Sequence, residues 1–207
     1  RDLVRSRGLG DVYKRQIHGT PHEVHMILRS DVIAVRRGGT RTGLPQVILN
    51  HARVSRGPWR LKAFVDESGH ALSGRFIIIR PRSAETPLAY LWALLNSPVA
   101  NAYAYAHSQQ RDVLVGLMKT LPVPDASQAQ ADLIAEAVRR YLSAARREGE
   151  WLRRPSADTT ELRRLLQHVD AEVLRLYDLP PCMEKELLGL FADEQRPGVP
   201  FSFTRYY

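Results

Sequence analysis

Leu88 to Pro124 reads LAYLWALLNSPVANAYAYAHSQQRDVLVGLMKTLPVP, and the fold turns on this stretch. Leu91, Leu94, Leu95, Val99 and Tyr103 recur at helical spacing, which predicts one inward-packing face. Pro87 after Thr86 suits a helix start, with Thr86 as the N-cap. Leu95-Asn96-Ser97-Pro98 then closes a short apolar helix, a polar-aromatic run follows, and a second helix stops at Leu121-Pro122-Val123-Pro124. Pro122 and Pro124 cannot continue a helix and force an extended exit. A helix pair over residues 87–121 is therefore expected.

Upstream of this pair, residues 23–80 read as mostly β. Glu23 to Leu28 and Asp31 to Val35 are short apolar runs, and Arg36 to Gly43 is a glycine-bearing loop. A strand is expected from Val47, extending toward Val54, followed by a turn at Ser55-Arg56-Gly57-Pro58. From Trp59 to Val65 the sequence alternates. Trp59, Leu61, Ala63 and Val65 share one face, and Arg60, Lys62 and Phe64 share the other. Asp66 to Gly69 makes a hairpin-type turn, and Phe76 to Ile79 a buried strand.

Downstream, the period changes. Leu133, Ile134, Ala137, Val138, Tyr141, Leu142 and Ala145 form one stripe of a helix beginning near Ser127. Residues 148–157 read as the connection, and Asp158 with Glu161 as a capping box. Leu162, Leu165, Leu166, Val169, Val173, Leu176 and Tyr177 form a second stripe, so an antiparallel helix pair is expected. Pro180-Pro181 turns the chain into a last short helix with Met183, Leu187, Leu188 and Phe191, and the tail from Arg196 reads as extended. Strands followed by helices define an α+β class. The expected division is a β-rich lobe over 17–124 and a helical lobe over 125–207.

The formal charge of +8 is unevenly spread. Residues 17–80 carry ten basic side chains against four acidic, while residues 125–207 carry twelve against fourteen. A basic lobe joined to a near-neutral helical lobe is the footprint of a polyanion binder. The chain begins at Arg1 and reads as a fragment. Residues 1–16, ending GLGDVYKRQ, read as a non-native, adaptor-like segment or a disordered arm. A lone cysteine, Cys182, and the lack of a long apolar segment fit a cytoplasmic location with no membrane span.

The order LLNS, aromatic-polar stretch, basic residue, LPVP resembles the target-recognition region near the C-terminal end of adenine-specific DNA methyltransferases of type I and type IIG restriction-modification systems. His168 to Leu179, HVDAEVLRLYDL, is similar to the segment that closes such regions, and RPGVPFSFTRYY is similar to their termini. The resemblance spans residues 40–207. It implies a sequence-reading module that docks on double-stranded DNA. A methyltransferase domain, with or without a fused endonuclease, would lie upstream or on a partner subunit.

Two features of the catalytic half are missing from the sequence: a glycine-rich strand-to-helix turn for S-adenosylmethionine, and an Asn/Asp-Pro-Pro-aromatic motif to hold a flipped adenine. Leu179-Pro180-Pro181-Cys182 lacks both flanking groups of that motif. No cofactor is therefore expected in this chain, and S-adenosylmethionine is expected upstream. His18, His22 and His25 have ligand-like spacing, but Gly19 and Pro21 break the helix that would align them, so no metal is expected.

Arginine reads guanine, and Gln or Asn reads adenine, in the major groove. Three clusters offer that chemistry: Arg36, Arg37, Thr40, Arg41 and Thr42; Asn50, Arg53, Arg56, Trp59, Arg60 and Lys62; and Ser108, Gln109, Gln110 and Arg111. Gly38 and Gly39 would let the backbone approach a phosphate closely. A competing expectation is a non-catalytic interaction module, a helical hairpin with a basic lobe that solubilises it. An RNA-binding domain is disfavoured by the lack of an aromatic stacking motif in the β part.

Overall fold

The computed structural model describes residues 43–199 apart from 71, 73, 82, 109, 110, 114, 152–158 and 198, with backbone alone for 147–151. The runs 23–28 and 31–35, the loop 36–42, Asp158 and the tail from 200 onward lie outside the described residues. The elements are β1 (Gln46–Asn50), β2 (Ala63–Asp66), β3 (Phe76–Ile79), α1 (Leu88–Asn96), α2 (Pro98–His107), α3 (Val115–Lys119), α4 (Gln128–Trp151), α5 (Thr159–Tyr177) and α6 (Pro181–Gly189). The class is α+β, with an antiparallel sheet ahead of the helices.

β1 lies between β2 and β3 and pairs with both, Val47 opposite Val65 on one side and Ile79 on the other. All five of its residues are buried, as its near-continuous apolar sequence requires of a central strand. The β2 end is tied off by Gly69 at φ +65°, where an added Cβ would meet the Leu44 backbone nitrogen at 2.2 Å. Asp66 closes the same corner. It accepts from Gln46 Nε2 at 2.8 Å and from the His70 backbone N–H at 2.7 Å. Burial alone would raise the Asp66 carboxyl pKa, but the bonds from Gln46 and His70 outweigh burial and hold it below its ordinary value.

Val47 and Leu49 open an apolar core that runs through Trp92, Ala93 and Leu94 of α1 into Ile134, Val138 and Tyr141 of α4 and Leu162, Leu166 and Val169 of α5. α1 is therefore the layer between sheet and helix pair, and Trp92 meets Tyr141 at 5.9 Å between ring centroids. Among the described residues, no helix is long and apolar enough to cross a membrane.

Several boundaries differ from the sequence reading. Pro87, not Thr86, caps α1, because its extended backbone turns its carbonyl onto the N–H groups of Tyr90 and Leu91. The polar-aromatic run is itself helical. Ser97 ends α1 and starts α2: its Oγ donates to the Leu94 carbonyl at 2.7 Å and accepts from the Ala100 N–H at 3.2 Å. α4 continues through Trp151 and absorbs part of the expected connection. Ser127 and Gln130 form its capping box, with Gln130 Oε1 accepting from the Ser127 N–H and the Ser127 Oγ accepting from the Gln130 N–H. Leu133, expected to face inward, is exposed.

The segment after α6 returns to the sheet side at Arg196. Arg196 Nη1 donates to Asp170 of α5 at 2.7 Å and its Nη2 to the Asn96 carbonyl at 2.6 Å. Its guanidinium lies 4.6 Å from the Trp59 ring centroid, and Trp59 packs on Phe191 at 4.3 Å. One buried arginine thus joins α1, α5 and the segment leading into β2.

Candidate nucleic-acid interface

Past Asn50 the chain leaves the sheet, and Ala52 forms an isolated antiparallel bridge with Asp112. The Arg53 N–H donates to the Arg111 carbonyl at 3.0 Å, and the Val113 N–H donates to the His51 carbonyl. These backbone bonds bring together two basic clusters that are far apart in sequence. Arg56 and Arg111 are exposed and Arg53 is half-buried. His51 and Asp112, both partly exposed, approach at 3.9 Å across the bridge. That distance makes a weak, screened contact that leaves the ridge net positive.

α2 supplies the aromatic border. Tyr103 stacks on His107 at 4.2 Å, and Tyr105 is 39% exposed. The Tyr103 hydroxyl donates to Thr120 Oγ1 at 3.1 Å, tying α2 to the end of α3. An exposed tyrosine beside arginines gives a flat face and hydrogen-bonding tips.

The second cluster is divided by burial. The alternation from Trp59 to Val65 predicts an outward polar face, yet Arg60 is 7% and Lys62 3% exposed. The reason is a set of three asparagine amides that bind this segment on both sides. Asn101 Oδ1 accepts from the backbone N–H groups of Arg60 and Leu61, each at 2.8 Å. Asn50 accepts from the Lys62 N–H at 2.6 Å and donates to the Arg60 carbonyl at 2.9 Å. Asn96 accepts from the Ala63 N–H at 2.9 Å and donates to the Ala63 carbonyl at 3.2 Å. Side-chain amides supplement sparse backbone pairing here, the Asn50 N–H to the Lys62 carbonyl and the Val54 N–H to the Arg60 carbonyl, and the regular strand begins only at Ala63.

Asn50 and Trp59 are therefore internal groups with no free edge for a base. Burial also pushes the Lys62 ammonium down to about 8, with its nitrogen 5.3 Å from the Phe64 ring centroid. Arg36, Arg37, Thr40, Arg41, Gln109 and Gln110 lie outside the described residues. Of the remaining candidates, Arg53 and Arg111 meet across the bridge with Arg56 close by in sequence, Arg60 lies buried next to Arg53, and Lys62 is buried against Asn50 and Phe64. Sequence reading missed Asn101, Asn96 and the Arg196–Asp170 pair. The one available signal was an asparagine placed inside each of two otherwise apolar helical runs.

Residues 80–87, the passage from β3 to α1, contain no glycine. They do not supply the glycine-rich strand-to-helix turn expected of an S-adenosylmethionine site, and no methyl-transfer step is assigned to this chain. Among the described residues, no group of three His, Cys, Asp or Glu side chains is placed to hold a metal. In comparisons with known proteins, no family model matches the chain and no significantly similar curated protein was found.

Proposed function

We propose that this chain is the DNA target-recognition module of an N6-adenine methyltransferase of a restriction-modification system, acting in the cytoplasm. The observation that supports it most is the Ala52–Asp112 bridge, which builds one basic ridge from two separately coded clusters. The exposed Arg56 and Arg111, with the half-buried Arg53 between them, offer cations to the phosphates of double-stranded DNA, and Gln109 and Gln110 adjoin Arg111 in sequence as base readers. S-adenosylmethionine and the chemistry belong to a methyltransferase domain upstream or on a partner subunit. A second reading, a protein-interaction module, is favoured by the exposed Val123, Leu133 and Met183.

Duplex binding tests the proposal. Affinity should fall steeply with salt, and a sequence-specific part should survive competitor DNA. Replacing Gln110 and Arg111 with Ala should shift sequence preference. Replacing Arg139 and Arg140, which pair with Glu136 on the exposed face of α4, should not. Equal effects of the two pairs, or binding insensitive to salt, would refute it.

A further inference from the structure

Arg60 sits directly under the ridge, and its side chain is spanned by one face of α2. Asn101 holds its backbone N–H, and one turn later the Tyr105 ring covers its guanidinium, 4.9 Å from ring centroid to Cζ. Among the described residues, Nε and Nη1 of this guanidinium are buried with no hydrogen-bond acceptor. Among the described residues no carboxylate forms an ion pair with it. The nearby charge is instead that of Arg53, close enough to lower the Arg60 pKa further after burial has lowered it. The carbonyl end of α2 offers only the partial negative charge of a helix terminus.

A buried cation lacking both an anion and hydrogen-bond acceptors is costly to keep. The adjacent Arg196 shows how this fold completes a buried guanidinium, with Asp170, a backbone carbonyl and the Trp59 face. Arg60 has the aromatic face and, among the described residues, no acceptor for Nε or Nη1. What is missing is an oxyanion, and the exposed Tyr105 near the end of α2 covers the guanidinium.

We propose that Arg60, with Arg53 beside it and Tyr105 as its cover, is the seat for one phosphate group, filled by a backbone phosphodiester when DNA lies on the ridge. The identity of the ligand rests on the DNA reading above; the seat itself rests on the unsatisfied guanidinium. A phosphate oxygen accepts from the guanidinium N–H groups, and the second cation holds the remaining charge. This contact positions the duplex and carries no sequence preference.

The test compares the chain with R60Q and R60K. R60Q should weaken binding to all duplexes alike and reduce the slope of log affinity against log salt by about one unit, while R60K keeps the slope. Independently, the unmodified chain should melt at a higher temperature in inorganic phosphate than in chloride at matched ionic strength, and R60Q should lose that rise. If R60Q does not fold, a phosphate-specific rise that shrinks in R60K supports the seat, and no rise overturns it.

DNA binding with an unchanged slope in R60Q and no phosphate effect would remove the seat and leave the DNA reading standing. A phosphate effect that depends on Arg60, without any duplex binding, would leave a free-phosphate site and remove the DNA reading. A phosphate rise that R60Q keeps would place the anion elsewhere and overturn the seat.

Discussion

Arg196 and Arg111 carry the same side chain in opposite circumstances. Arg196 is 6% exposed, and both of its terminal nitrogens are engaged inside the protein. Arg111 lies open to solvent, and among the described residues its backbone carbonyl alone is used, by Arg53. The same division separates the asparagines, whose amides are spent on the segment 60–63, from the cations of the ridge. Residue chemistry alone suggests a readout surface throughout this region. Burial decides which groups hold the protein together and which remain for a ligand.

The largest effect should come from breaking the interior half of this comparison. Asp170→Ala would leave Arg196 as an uncompensated buried charge, at a cost of about 3–5 kcal/mol in unfolding free energy by denaturant titration. Replacing Asp170 and Arg196 together with apolar residues should recover much of that loss, because an ion pair removed whole strands no charge. A loss under 1 kcal/mol for the single change would show that the pair does not lock the chain end to α5. By contrast, Arg111→Ala should leave stability within about 0.5 kcal/mol.

Next in size is Asn101→Ala. It strips the acceptor from two buried N–H groups, those of Arg60 and Leu61, and should cost about 2–3 kcal/mol. It should also loosen the segment that carries Arg60, so amide hydrogen exchange at Arg60 and Leu61 should quicken together. Unchanged exchange at both would separate α2 from the ordering of this segment.

Much of the scaffold was legible in the sequence and little of this interior polar set was. Val47 to Leu49, the α1 leucines and the stripes of α4 and α5 follow strong local periods that packing obeys. Leu133 broke its stripe because a helical face read from sequence is wider than the face a neighbouring helix covers. The run from Asn101 to His107 reads in sequence only as polar and aromatic, and its alanines and the Ser97 cap make it helical. The alternation at 59–65 misled for a different reason. Alternation gives two faces, but only tertiary contacts decide whether the second meets water, and here Tyr105 lies over Arg60 and Phe64 beside Lys62 while asparagines from β1, α1 and α2 hold the backbone. The ridge was half legible. Both clusters were visible, but the bridge that joins them is a long-range backbone contact with no local signature.

The smallest of these effects concerns Lys62, which lies between the two classes: a cation by chemistry, interior by position. Its folded pKa is depressed to about 8, whereas an unfolded chain holds the proton to above 10. Between those values the unfolded state binds one more proton than the folded state, so stability should rise as pH increases from 8 toward 10. The gain is about 2 kcal/mol, and it is absent below pH 8, where both states are protonated. Above 10 the sign reverses. Tyr141 and Tyr177 are both pushed up to about 12, first by burial, so the unfolded chain loses phenolic protons that the folded chain keeps. A stability maximum near pH 10 should therefore appear in denaturant titrations. Lys62→Met, which keeps the stem and removes the charge, should flatten the rising limb and leave the fall above pH 10 intact. If the rising limb survives in Lys62→Met, the ammonium is not desolvated as its position requires, and Lys62 belongs with the cations of the ridge.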